Sequence, residues 1–120
     1  MAKKVLIIDD EKDFCWFVKS NLEINGEFQI ITSNSGKEGL KKAKEEVPDL
    51  ILLDILIPDM EGPAVAEELA NCRTTRDIPI IFLTAIVREE EAERSIGGKQ
   101  FIAKPVETEK LREAIRTTIF

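Results

Sequence analysis

The chain has 120 residues, the size of one ordinary domain, and such a length buries roughly 65% of its unfolded surface, enough for a single core. A net charge of −6 disfavours direct nucleic-acid binding, which normally needs a basic face; two cysteines make no disulfide framework, and without histidine there is no zinc set. No apolar run approaches a membrane span and the Met1-Ala2-Lys3-Lys4 start lacks a signal-peptide stretch, so a cytoplasmic location is expected.

Val5-Leu6-Ile7-Ile8 has the composition of a fully buried strand and runs into Asp9-Asp10. Phe14, Phe17, Val18 and Leu22 recur at helical spacing and predict a core-facing stripe, with Gly26 placed to end that helix before a second strand, Phe28-Gln29-Ile30-Ile31. Trp16 is read first as a packing residue and second as a fluorescent reporter near Asp10, and Cys15 and Cys72 as packing or partly exposed thiols. Ser35 with Glu38 fits a capping box opening the helix that carries Leu40 and Ala43. Leu50-Ile51-Leu52-Leu53 is the third strand and meets Asp54; Pro63 suits the first turn of a third helix with Val65, Ala66 and Leu69 inward. Ile80-Ile81-Phe82-Leu83 leads to Thr84, and the acidic stretch from Arg88 to Arg94 reads as a solvated helix face. Phe101-Ile102-Ala103 leads to Lys104, and Leu111, Ile115 and Ile119 form the stripe of the last helix. This alternation of strand and helix predicts an α/β domain, a parallel sheet covered on both faces with right-handed crossovers.

In open sheets of this kind ligands bind beyond the carboxyl ends of the strands, where Asp9, Asp10, Asp54, Thr84 and Lys104 all fall. Each has a plain alternative: Asp10 as a helix cap, Thr84 as a strand-end threonine, Lys104 as a solvated lysine. Their joint occurrence argues for one site. Two carboxylates about 4 Å apart repel by roughly 4 kcal/mol at an effective dielectric of about 20, so three in one cleft need a cation or a raised pKa. Mg²⁺ is the natural partner, since it takes oxygen ligands and often joins one or two carboxylates to phosphate oxygens. With the charge neutralised, one carboxylate can attack phosphorus and form an acyl phosphate. Lys104 then serves as counter-charge to the phosphoryl oxygens and the Thr84 hydroxyl as a hydrogen-bond donor.

The segments Val5 to Glu11, Asp49 to Gly62, Ile80 to Ala85 and Phe101 to Pro105, in that order, resemble the response-regulator receiver domains of bacterial two-component signalling and phosphorelay systems. The resemblance runs from about Lys4 to Ile119 and implies residues 1–120 as one receiver domain without an output domain in this chain. It implies a flavodoxin-like five-stranded sheet, order 2-1-3-4-5, with five helices. Asp54 is then the phosphoacceptor, served by a phosphohistidine on a sensor histidine kinase or histidine phosphotransfer protein. Mg²⁺ is expected on Asp10, on Asp9 through water, on Asp54 and on the backbone carbonyl of Leu56. Thr84 and Phe101 match the family's switch positions, and the Lys104-Pro105 peptide is expected to be cis. Such a chain is no enzyme beyond its own phosphotransfer; it changes protein–protein contacts with a downstream target or an output domain outside the sequence. A shortened fourth helix is expected between Thr84 and Lys104. The family positions that help to place hydrolytic water hold apolar Leu56 and Ile86, so slow loss of phosphate is expected.

Other classes share parts of this pattern. A flavodoxin needs a phosphate-cradling loop where Asp9-Asp10-Glu11 stands. An aspartyl-phosphate phosphatase needs a second aspartate where Leu56 stands. A receiver used only for docking, independent of phosphorylation, remains the alternative, although such proteins generally lose part of the acidic set or the lysine.

Overall fold

The computed structural model describes residues 2–85 and 100–119. Five parallel strands form one sheet: β1 (Lys3–Ile8), β2 (Phe28–Ser33), β3 (Leu50–Asp54), β4 (Ile80–Thr84) and β5 (Phe101–Ala103), in the order β2-β1-β3-β4-β5. Four helices lie among the described residues: α1 (Lys12–Leu22), α2 (Gly36–Glu46), α3 (Gly62–Ala70) and α4 (Thr108–Ile119). The doubly wound order 2-1-3-4-5 is the flavodoxin-like one expected. The anticipated fourth of five helices, the stretch from Arg88 to Arg94 and Ile86 lie outside the described residues.

The inner strands β1, β3 and β4 read as near-continuous apolar runs because helices cover both faces of the sheet, whereas the edge strand β2 alternates. Val5, Ile7, Leu50, Leu52, Ile81 and Leu83 face one side, where Cys15, Val18 and Leu22 of α1 and Leu111 and Ile115 of α4 close over them. Leu6, Ile8, Ile51, Leu53 and Phe82 face the other, under Ala43 of α2 and Val65, Ala66 and Leu69 of α3. Many of these side chains have no exposed surface, and each fully buried Leu or Ile contributes about 1.5–3 kcal/mol.

The first helix corrects two expectations. Its inward stripe is Cys15, Val18 and Leu22, so Phe17, at roughly 100° per residue, falls on the far side and is 41% exposed. Trp16 is 70% exposed and does no packing work. Phe14, Val18 and Leu22 face the core as the spacing predicts; only Phe17 is displaced, and Cys15 takes its place in the stripe.

The start of α2 is capped from two directions. Ser35 Oγ accepts from the Glu38 amide at 3.1 Å, whereas the Glu38 carboxylate pairs with Lys42 at 3.1 Å. The bond that completes a capping box is thus replaced by an ion pair within the helix. Asp59, from the loop after β3, accepts from the amides of Gly36 (2.8 Å) and Lys37 (3.1 Å), satisfying donors that have no partner within the helix. These bonds hold its carboxyl below the usual range. Pro63 stands in the first turn of α3 as its fixed φ predicts.

Candidate functional site

The strand register determines which side chains can meet. Ile8 is level with Leu53, so Asp9 and Asp54 occupy the next row together, beside Leu83 and Ile102. Alternation along each strand turns Asp9 and Asp54 toward the α1–α4 face, continuing Ile7 and Leu52. Lys104, two residues past Ile102, has the same parity. Thr84 and Phe101 continue the opposite stripe, and Phe101 packs, half-buried, against the cluster under α2 and α3. Asp9, Asp54 and Lys104 therefore meet at one rim, Thr84 ends β4 there with the opposite parity, and Phe101 lies two residues below the rim at the start of β5.

Asp9 has no exposed surface and Asp54 only 6%, an unusual depth for two carboxylates. Lys104 Nζ lies 2.7 Å from Asp9 Oδ2, 2.8 Å from Glu11 Oε1 and 3.7 Å from Asp54 Oδ2. Its ammonium stands over the Phe14 ring of α1, 4.4 Å from the centroid. Backbone donors support both aspartates: the Glu11 amide gives to Asp9 Oδ1 at 2.9 Å and the Leu56 amide to Asp54 Oδ1 at 3.3 Å. Asn34, at the end of β2, donates to the Asp9 carbonyl at 3.0 Å and fixes the turn from below. Thr84 is buried, and its carbonyl accepts from the Lys104 amide at 2.7 Å. The Lys104–Pro105 peptide is cis.

Burial pushes the Asp54 carboxyl up from 3.8 to about 6, with the charge of Asp9 adding to the rise and Lys104 opposing it. Burial also raises Asp9, partly offset by its bond to Lys104. For Lys104 burial alone would lower the pKa, but the bonds to Asp9 and Glu11 outweigh it and hold the ammonium firmly protonated. Among the described residues one cation stands among three carboxylates, which leaves this cluster negative.

Carboxylate oxygens of Asp9, Glu11 and Asp54 all lie within 4.8 Å of one another. Such a set of hard oxygen donors fits a small divalent cation such as Mg²⁺. Glu11 completes this group in place of Asp10, which is exposed, although the Asp10 charge still reaches Asp54. The Leu56 side chain is exposed beside the pocket. From the sequence, Glu11 had no role at the site and Phe14 only a place in the core-facing stripe. The available signal was their position: Glu11 directly follows the aspartate pair and Phe14 lies one helical turn beyond it.

The backbone around Asp54 is tight. A Cβ on Gly62 would stand 2.4 Å from the Asp54 carbonyl oxygen, and the Gly62 amide donates to the Ile55 carbonyl at 2.8 Å. Only a residue without a side chain lets α3 begin this close to β3.

Among known proteins, the chain is 32% identical over 99% of its length to the alkaline phosphatase synthesis transcriptional regulatory protein PhoP of Bacillus subtilis, of which it covers 49%. It spans about half the length of the curated relatives it matches. A CheY-like response regulator receiver domain protein from Methanospirillum hungatei superposes with a TM-score of 0.85 at 30% identity, covering 99% of this chain and 94% of that one. The receiver domain of a signal transduction histidine kinase from Syntrophus aciditrophicus gives 0.86 at 30% identity, covering 98% and 90%. Residues 5–116 match the response regulator receiver domain family, and with the sheet order and the rim just described they make this chain a member of it.

Proposed function

We propose that residues 1–120 form one receiver domain that accepts a phosphoryl group on Asp54 in a Mg²⁺-dependent reaction and so switches its contacts with other proteins. The observation that carries this reading is the Asp54 carboxylate, buried at the carboxyl end of β3 within reach of Asp9, Glu11 and a lysine held 3.7 Å away. The donor is a phosphohistidine on a sensor histidine kinase or histidine phosphotransfer protein. An Asp54 carboxylate oxygen attacks phosphorus and forms the P–O bond. The P–N bond breaks, and its electron pair stays on the imidazole nitrogen that leaves.

Mg²⁺, when bound, neutralises the carboxylates and the incoming phosphoryl oxygens; Asp9 and Asp54, with Asp10 and the Leu56 carbonyl at the same rim, would hold it. Lys104 supplies a fixed positive charge to the phosphoryl group, and the Thr84 hydroxyl a hydrogen bond from the opposite parity of the sheet. Thr84 and Phe101 share that parity, which suits a paired rearrangement that carries the state of the rim to the surface around β5. The Leu56 side chain is apolar and cannot orient water, so the phosphorylated form should persist well beyond seconds.

Intact mass after incubation with acetyl phosphate and Mg²⁺ tests the reading. One added phosphoryl group, absent in Asp54→Asn and with chelator, supports it. No addition to folded, Mg²⁺-binding protein, from acetyl phosphate and from a panel of phosphorylated histidine kinases alike, refutes it.

A further inference from the structure

Lys104 enters the site on a flexible four-carbon stem, and its compact ammonium settles where neighbouring groups hold it. Asp9 and Glu11 hold it at 2.7 and 2.8 Å, and the Phe14 ring lies beneath it at 4.4 Å. Asp54 stands off at 3.7 Å, outside the about 2.7–2.9 Å of an ordinary charge-assisted bond. Glu11 and Phe14 are three residues apart at the start of α1, so they present to the same side of the helix. Neither is needed to fill the core: the Glu11 side chain is 62% exposed, and Phe14 sits at the margin of the cluster.

Resting on the reading of Asp54 as phosphoacceptor, we propose that Glu11 and Phe14 form a seat for the Lys104 ammonium, drawing it toward α1 and holding it off Asp54. The seat has two consequences. It leaves the Asp54 carboxylate unclaimed as a nucleophile, with a cation standing near enough to meet a phosphoryl oxygen. It also gives Lys104 a partner when a divalent ion competes for the oxygens of Asp9. Without the seat the ammonium closes on Asp54, blunting the nucleophile and occupying the ground of the metal. Glu11 and Phe14 are positioning residues, because they act through Lys104.

Glu11→Gln keeps the shape and removes the charge; Phe14→Leu keeps apolar volume and removes the ring face. Each is read by Mg²⁺ calorimetry and by the rate of phosphoryl uptake from saturating acetyl phosphate, alone and combined with Lys104→Met. The energies of an exposed ion pair and of a cation–π contact correspond to a weakening of Mg²⁺ binding by about two- to fivefold for each, with a similar slowing of uptake. Both effects should vanish in the Lys104→Met background. A Glu11→Gln effect that survives there assigns Glu11 to the metal directly and overturns the proposal, as does an unchanged affinity and rate in both single variants. A purely electrostatic role for the helix start predicts no effect of Phe14→Leu. If the wild-type chain takes up no phosphoryl group, the reading of Asp54 fails while the calorimetric cycle still judges the seat. Should Lys104→Met not fold, the side-chain ammonium resonance of Lys104 decides: slow hydrogen exchange lost in Glu11→Gln supports the seat, and unchanged exchange overturns it.

Discussion

The two ends of the sheet carry ion clusters of opposite design. At the carboxyl end Asp9, Glu11 and Asp54 share the single ammonium of Lys104. At the amino end the charges are matched: Glu27, just before β2, is shared by two guanidinium groups of α4, one of which, Arg112, also meets Glu109 at 3.4 Å. Arg116 meets it through a two-pronged bond, Nε to Oε2 and a terminal nitrogen to Oε1, both at 2.7 Å. Arg112 adds an ion pair at 3.9 Å and donates to the Asn21 carbonyl at 3.3 Å, tying the end of α1 to α4. The amino-end cluster is a clamp that joins β2, α1 and α4 with its anion satisfied. The carboxyl-end cluster has more anion than cation and sits deeper. Its groups are compatible in the folded chain only at a cost, which is what prepares a site to gain a divalent cation. Matched charge at the surface serves the fold, while unmatched charge in a cleft serves binding.

The sharpest way to break this contrast is at the backbone. Gly62→Ala puts a Cβ against the Asp54 carbonyl and the Ile55 backbone at the crowded rim and should destabilise the domain by about 3 kcal/mol in urea unfolding. Gly26, at the amino end, has φ +74° but nothing within 4 Å of an added Cβ, so Gly26→Ala should cost only the left-handed conformation, about 1 kcal/mol.

Charge removal should give opposite signs at the two ends. Without divalent metal, Asp54→Asn relieves repulsion at the rim and should raise stability by about 1 kcal/mol after screening. Glu27→Gln breaks the two-pronged bond of Arg116 and leaves Arg112 one ion pair among the described residues, with Glu109, and it should lower the melting temperature. Adding Mg²⁺ should raise the melting temperature of the wild type and leave Asp54→Asn nearly unmoved, a result that thermal melts of both variants with and without metal would show. Stabilisation by Glu27→Gln, or loss by metal-free Asp54→Asn, would erase the distinction.

The pH dependence should also divide. The folded Asp54 carboxyl titrates near 6 against an ordinary value of 3.8, so between those values the folded chain binds the extra proton. Its contribution to metal-free stability is present below 3.8 and is lost as pH rises through 6. Bonding to Arg116 lowers the Glu27 carboxyl, so that contribution is present above the usual carboxylate value and lost as pH falls through the lowered one. Melts from pH 3 to 8 of the wild type, Asp54→Asn and Glu27→Gln should assign each slope to its end of the sheet.

The cysteines report the same contrast without touching stability. Cys15, buried behind Asp9, donates its thiol to the Asp9 carbonyl at 3.5 Å; burial pushes it up to about 12, with the Asp9 charge adding to the rise. Cys72, past the end of α3 and at the opposite end of the molecule, is lowered to about 7 by hydrogen bonds from Thr74. Iodoacetamide at pH 8 should modify Cys72 faster by roughly three orders of magnitude or more, read by mass after digestion. Equal labelling would mean that the rim opens.

Much of this was legible in the chain. Strands that end on Asp9, Asp54, Thr84 and Lys104 announce themselves by apolar runs, because burial on both faces leaves no room for alternation. The order of the elements, read with the family resemblance, then fixed the sheet. Phe17 left the inward stripe and Cys15 entered it because a helix with six apolar residues in nine admits more than one inward stripe, and the sheet beneath chose between them. Asp59 lies 23 residues from the amide it caps, and Glu11 lies 93 residues from the lysine it meets. Local pattern follows from the periodicity of the backbone and survives in the sequence. Contacts between distant segments depend on register and on the angle at which a helix enters, so the partners of Lys104 were decided only when β1, β5 and α1 came together.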